Sequence, residues 1–200
     1  MRLRGLFVVL AVAALAVFVW RSQLFTVARA GAHPQPLTLI APAARRASDV
    51  DVVLAAVPVG MERIRAGGAP VLVHFWAPWE HNSGSQAIAL DSLRRQLPPG
   101  SLQFAVVCFD PYPSVARYLG RMRLRLPVLL DHRRALASVL PCPSMPYTYV
   151  MDARGRIVIA QAGEVDWLAP ATRAALDSVI AAPAAPPAPE AAPPALVHGT

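Results

Sequence analysis

Nine residues constrain this chain more than any other stretch: Ala69-Pro70-Val71-Leu72-Val73-His74-Phe75-Trp76-Ala77. They follow the turn pair Gly67-Gly68, combine β-branched with aromatic side chains, and are too few for an ordinary helix, so they read as a strand. Apolar side chains at consecutive positions leave neither face suited to water, and such a strand is buried on both sides.

The flanking pattern supplies the layers. Upstream, a short strand is expected at Leu37 to Ile40, and Val52 to Arg65 reads as a helix with Pro58 as its kink or break. Downstream, the spacing predicts a helix over Ser85 to Gln96, a strand over Leu102 to Phe109 and a helix over Pro113 to Arg123. Pro127 to Leu130 is a short extended piece and Arg133 to Leu140 a short helix. Tyr147 to Met151 and Ile157 to Gln161 form a hairpin turning at Asp152 to Gly155, and a last helix covers Ala169 to Ile180. This order implies an α/β fold, a mixed sheet with helices on both faces. Such sheets carry functional groups at the carboxyl ends of their parallel strands, so the loops after Trp76 and before Tyr147 matter most.

At those loops the chain resembles the thioredoxin superfamily, in particular its TlpA-like, membrane-anchored thiol-disulfide oxidoreductases. Four stretches carry the resemblance, in order. Residues 71 to 79 (VLVHFWAPW) resemble the strand and approach to the redox motif, and residues 126 to 131 (LPVLLD) the insertion of this branch. Residues 144 to 158 (SMPYTYVMDARGRIV) resemble the cis-proline loop and hairpin, and residues 163 to 167 (GEVDW) the closing turn. Together they cover roughly residues 66 to 180. The resemblance implies a thioredoxin-like sheet flanked by helices, a cis peptide before Pro146, and a peptide-binding groove at Trp79, Met145 and Pro146, where substrate backbone pairs as an added strand.

The departure falls at the chemistry. Where the family has Trp-Cys-x-x-Cys, this chain has Trp79-Glu80-His81-Asn82-Ser83. Thiol exchange needs a thiolate, favoured by a helix N-terminus, and a second thiol to resolve the mixed disulfide. Glu80 cannot attack a disulfide and the Ser83 hydroxyl is far too weakly acidic to resolve one. Glu80 does suit the positive end of a helix, and Asn82 or Ser83 suits a capping role. No catalytic residue is therefore expected at Trp79, Glu80, Ser83 or Pro146.

The other chemistry-bearing residues are few. Cys108 and Cys142 are separated by 34 residues, which fits neither a CxxC pair nor close zinc-ligand spacing, leaving a disulfide, two free thiols or a relocated redox pair. The resemblance sets Cys108 at the end of the strand beside the motif and Cys142 just ahead of Pro146. A metal held by Glu80, His81 and His132 or Cys142 is a weaker alternative; no metal and no cofactor are expected. His74 stands where the family often has a buried Asp or Asn, and is expected to be neutral and hydrogen-bonded.

The ends of the chain speak of location. Arg2 and Arg4 precede an apolar run from residue 5 to residue 20, closed by Arg21. At about 1.5 Å per residue it nearly spans a bilayer core, and the basic start points to a cytoplasmic N-terminus. The domains expected are a transmembrane anchor (1–22), a linker (23–50), a thioredoxin-like domain (51–182) and a disordered Ala/Pro tail (183–200). The domain would face the periplasm from the inner membrane. The competing reading is a signal peptide cleaved after Ala30, in the small-x-small sequence Ala28-Arg29-Ala30, which would release it to the periplasm.

All basic charge is arginine, and eight of the arginines lie between Arg94 and Arg134 against only Asp110 and Asp131. That stretch reads as a solvated face, with no nucleic-acid partner expected. The function that follows is a binding or assembly factor for an exported or membrane protein. The alternative is a thiol-disulfide oxidoreductase in cell redox homeostasis using Cys108 and Cys142 or a partner's thiol.

Overall fold

The computed structural model describes residues 33 to 183, except residue 123. The expected anchor (5–20), the Ala30 cleavage site and nearly all of the tail lie outside the described residues. Among the described residues no helix is long and apolar enough to cross a membrane.

One mixed sheet of eight strands organises residues 36 to 183, in the order β1-β8-β7-β4-β5-β6-β2-β3. The strand expected from residues 69 to 77 is β4 (Val71–Phe75), buried at every position. It pairs in parallel with β5 (Gln103–Cys108), and β5 with β6 (Val128–Leu130). On the other side of β4 runs antiparallel β7 (Tyr147–Met151), followed by β8 (Arg156–Ala162) and the short β1 (Arg46–Ala47). The hairpin expected at Asp152 to Gly155 forms there, with the Asp152 carboxylate accepting from the backbone N–H groups of Arg154 and Arg156.

The stretch Val52 to Arg65 is not a helix. It forms the hairpin β2 (Asp51–Val57) and β3 (Met61–Arg65), with Ala55 opposite Met61. The β-branched residues Val52, Val53, Val57 and Ile64 suit a pleated surface, and Pro58-Val59-Gly60 makes the turn, with Gly60 at φ 125°. Nor do Leu37 to Ile40 form a strand, although Leu37 is buried and the Ile40 N–H donates to the Val158 carbonyl. The folded unit thus takes in residues ahead of Asp51.

The helices are α1 (Ser83–Gln96), α2 (Tyr112–Leu119) and α3 (Pro170–Ile180). All three send side chains (Leu90 and Leu93, Val115, Leu176 and Val179) into one core, with Leu72, Trp76, Val106 and Cys108 of the sheet. A second core holds the alternate residues Val71, Val73, Phe75, Ala105 and Val107. Leu54, Ala56 and Ile64 of β2 and β3 line the same face of the sheet, and its cover is not helical: Leu136 and Leu140 come from the segment before β7. The expectation of helices on both faces is therefore corrected. Two crossovers in succession, β4-α1-β5 and β5-α2-β6, step across the sheet in one direction, and a constant crossover hand puts both helices on one side.

The segment expected as a helix over Arg133 to Leu140 forms a series of turns instead. Asp131, almost wholly buried, accepts from the backbone N–H groups of Ala135, Leu136 and Ala137. Arg134 sits at φ 54°, a left-handed conformation that interrupts helical geometry, and Pro141 ends the run.

Candidate functional site

The register of the sheet brings the two marked loops together. Phe75, at the end of β4, lies opposite Tyr147, at the start of β7, so the segment after Trp76 and the segment ending at Pro146 leave the sheet side by side. The Met145–Pro146 peptide is cis, as the resemblance implied. Pro146 is buried, and its carbonyl accepts from the Gly163 N–H. Trp79 is 63% exposed beside this loop.

The loop from Trp79 to Ser83 is closed by its own partners. Ser83, the first residue of α1, is 3% exposed, and its hydroxyl lies 2.9 Å from the Tyr118 Oη of α2. The Trp76 indole N–H donates to the Ser83 carbonyl, and the Trp76 ring meets Tyr118 edge to face. A Cβ at Gly84 would stand 3.0 Å from Tyr118 Oη, a close contact that the phenol would have to give way to. Sequence reasoning missed Tyr118, since nothing in its neighbourhood marks it as a partner of a residue 35 positions away.

The capping expected of Asn82 or Ser83 is not made. Asn82 is the residue before the helix, in the left-handed region at φ 61°, and caps no amide with its side chain. Its amide donates to the Glu164 carboxylate at 3.1 Å, tying the motif loop to the closing turn. A second tie runs beneath: Gln86 Oε1 accepts from the Trp167 indole N–H at 2.8 Å and the Val165 N–H at 3.2 Å. His81 is exposed.

His74 lies fully buried on the helical side of β4. Its Nδ1 is 3.0 Å from the Thr148 hydroxyl on β7, its ring meets Trp167 edge to face at 5.2 Å, and its Nε2 has no partner. Burial away from water penalises the charged ring and lowers its pKa to about 4. It is a neutral imidazole at neutral pH.

The cysteines are both free. Cys108 belongs to the helix-covered core, whereas Cys142 packs against the opposite one, so the sheet lies between them. Burial raises the Cys108 thiol to about 12, with the Asp110 carboxylate opposing a thiolate as well. Burial likewise raises Cys142 to about 11, against a smaller opposite pull from Arg134. The Cys142 thiol donates to the Ser144 carbonyl at 3.0 Å. Neither is a ready nucleophile. Among the described residues no three His, Cys, Asp or Glu side chains gather as a metal site, and His132 Nδ1 is engaged with the Phe109 carbonyl.

No family model matches the chain, and no curated protein matches it either. Solved structures do. The pneumococcal exposed lipoprotein thioredoxin of Streptococcus pneumoniae is similar over 64% of this chain and 98% of its own, at 19% identity and TM-score 0.57. The bacterioferritin comigratory protein of Xanthomonas campestris, described with alkyl peroxide reduction activity, is similar over 72% and 99%, at 19% identity and TM-score 0.57. StoA of Bacillus subtilis is similar over 61% and 94%, at 17% identity and TM-score 0.54. Likeness at such identities establishes the fold, a thioredoxin-like mixed sheet flanked by helices, and leaves activity to the residues present.

Proposed function

We propose that this chain is a membrane-tethered thioredoxin-like protein that has given up CxxC exchange and acts as a binding or assembly factor for an exported or membrane protein. One observation carries the reading: the position of the resolving cysteine holds a buried serine closed against Tyr118, and the position of the attacking cysteine holds Glu80. The remaining thiols support it, since both are raised far above neutrality and face opposite sides of the sheet.

What the fold would keep is the surface for extended polypeptide. Trp79 is exposed at the loop beside the cis-proline, and among the described residues no backbone group of Met145 bonds to another backbone. An extended segment pairing there needs main-chain hydrogen bonds and an aromatic contact, and no thiol. The apolar run at residues 5–20 would hold the domain on the periplasmic side of the inner membrane, or cleavage after Ala30 would release it there.

The test uses the full chain in detergent, with a peptide disulfide as one probe and a permanently alkylated, unfolded polypeptide as the other. The expected result is no turnover of the disulfide, together with binding of the unfolded chain that Trp79→Ala weakens. Turnover that disappears on replacing Cys108 or Cys142 would establish the oxidoreductase alternative instead.

A further inference from the structure

On the face of the sheet opposite the helices lies a groove of about 510 Å³, between residues 40–47 and Leu140-Pro141, with Tyr149, Ile157 and Ala160 of the β7–β8 hairpin as its floor. The Tyr149 hydroxyl is spent on the Pro141 carbonyl at 2.6 Å, so the ring offers the groove an apolar surface. Arg46 is the one charged residue that lines it, and no carboxylate does. Arg46 is exposed and makes no ion pair among the described residues. Asp49, the next acid along the chain, lies beyond Ser48, whose N–H donates to the Gly155 carbonyl at the hairpin turn, and is not part of the lining.

The chain itself carries a segment that fits. Pro183 sits at the same hairpin turn, its carbonyl accepting from Arg154 Nε at 3.3 Å. Beyond it, residues 184–194 read AAPPAPEAAPP. Proline fixes φ and lacks the N–H that a helix or a strand ladder needs, so this composition favours polyproline II, which requires no backbone partner and loses little freedom on docking. Its flat rings and methyl groups suit an aromatic and aliphatic groove. Glu190 is the only Asp, Glu, Lys or Arg after Asp177, and its charge complements Arg46. It stands seven residues past Pro183, about 22 Å at ~3.1 Å per residue. Arg46 lies opposite Ile157, three residues from Arg154, or about 10 Å along the strand. The segment is therefore long enough to round the end of the sheet and bring the two charges together.

We infer that this groove is the docking site of the chain's own Ala/Pro segment, residues 184–194, lying along it as polyproline II with Glu190 against Arg46. A foreign polypeptide would compete with a segment that its own attachment holds at millimolar effective concentration. Docking would also brace Pro141, where the stretch that leads to the cis peptide at Pro146 begins.

The experiment uses the full chain in detergent, in a Cys142→Ala background with Ala160→Cys as the reporter; Cys108 is buried and stays silent. A water-soluble maleimide labels position 160 in the full chain and in a chain ended after Pro183, with Leu168→Cys as the control beside α3. Labelling at position 160 is expected to be at least about twofold slower in the full chain, because a contact of millimolar affinity is half-occupied at the effective concentration of a short tether. Position 168 should label equally in both. Arg46→Glu and Glu190→Arg should each reduce the protection, and the two together should restore it; these variants keep the full length, so they decide the matter even if the shortened chain misfolds. Equal rates at position 160 in the two lengths, or protection indifferent to the charge exchange, overturns the inference. Protection that fades on dilution overturns it too, since a second copy would then occupy the groove, as does protection that appears only when an unfolded polypeptide is added.

Discussion

His74 carries a pH dependence that can be worked out with its sign. Unfolded, the ring titrates at the ordinary value of 6.5; folded, burial holds it down to about 4. Between these values the unfolded chain binds a proton that the folded chain refuses, so acid favours unfolding. The stabilisation is fully present above pH 6.5 and is lost as pH falls toward 4, by on the order of 3 kcal/mol in total. Urea denaturation across this range is expected to show the decline, and His74→Leu should flatten it. Equal slopes in the two proteins would assign the acid sensitivity elsewhere. Asp152, where desolvation pushes the carboxyl up but the hydrogen bonds from Arg156 and Arg154 and the Arg156 charge together outweigh it and hold it below its ordinary 3.8, adds acid sensitivity only at lower pH. Ser83 is the counterpart at the start of α1: its residue type is plain in the sequence, yet its bond to Tyr118 joins two elements and no local pattern in the sequence shows it.

At the scale of elements, the start of α1 is where thiol exchange can be introduced. The helix supplies partial positive charge at its first turn, the field that lowers a thiol's pKa. Glu80→Cys with Ser83→Cys is expected to give a chain that reduces a peptide disulfide, while each single variant remains inactive. Asn82 holds the Glu164 carboxylate at this loop, and a nearby negative charge disfavours a thiolate, so adding Glu164→Gln should lower the alkylation pKa of the new cysteine at position 80 further. A double variant that stays inert, with an unperturbed thiol, would show that Tyr118 and Trp76 have closed the site to exchange altogether. The same loops were legible in the sequence because glycine, proline and tryptophan mark them directly. In the misread elements such marks were given the wrong weight or were absent. Val52 to Arg65 has apolar spacing compatible with helix or strand, and its β-branched residues with the turn at Pro58 to Gly60 decide for a hairpin. Arg133 to Leu140 has a helical composition, but the Asp131 carboxylate takes three of its amides and Arg134 turns left-handed, neither of which periodicity records.

For the whole molecule, the consequence of one sheet with two unlike covers is that neither core can melt alone. Strands β4 and β5 alternate their side chains between them: Leu72, Val106 and Cys108 to the helices, Val71, Val73, Ala105 and Val107 to the face closed by the turns before β7. Loss of either cover exposes one whole face of the same two central strands, so packing on one side supports the backbone geometry the other side requires. Leu93→Ala, from α1, and Leu136→Ala, from the non-helical cover, each remove a fully buried side chain and are expected to cost about 2–5 kcal/mol. Both should shift a single unfolding transition, with tryptophan fluorescence from buried Trp76 and Trp167 coinciding with far-ultraviolet circular dichroism. An independent transition in the Leu136 variant, reported by circular dichroism while fluorescence holds, would mean that the turns before β7 are an accessory layer. Coincidence would mean that these turns do for the second face what a helix would otherwise do, although they hold no regular hydrogen-bonded element of their own.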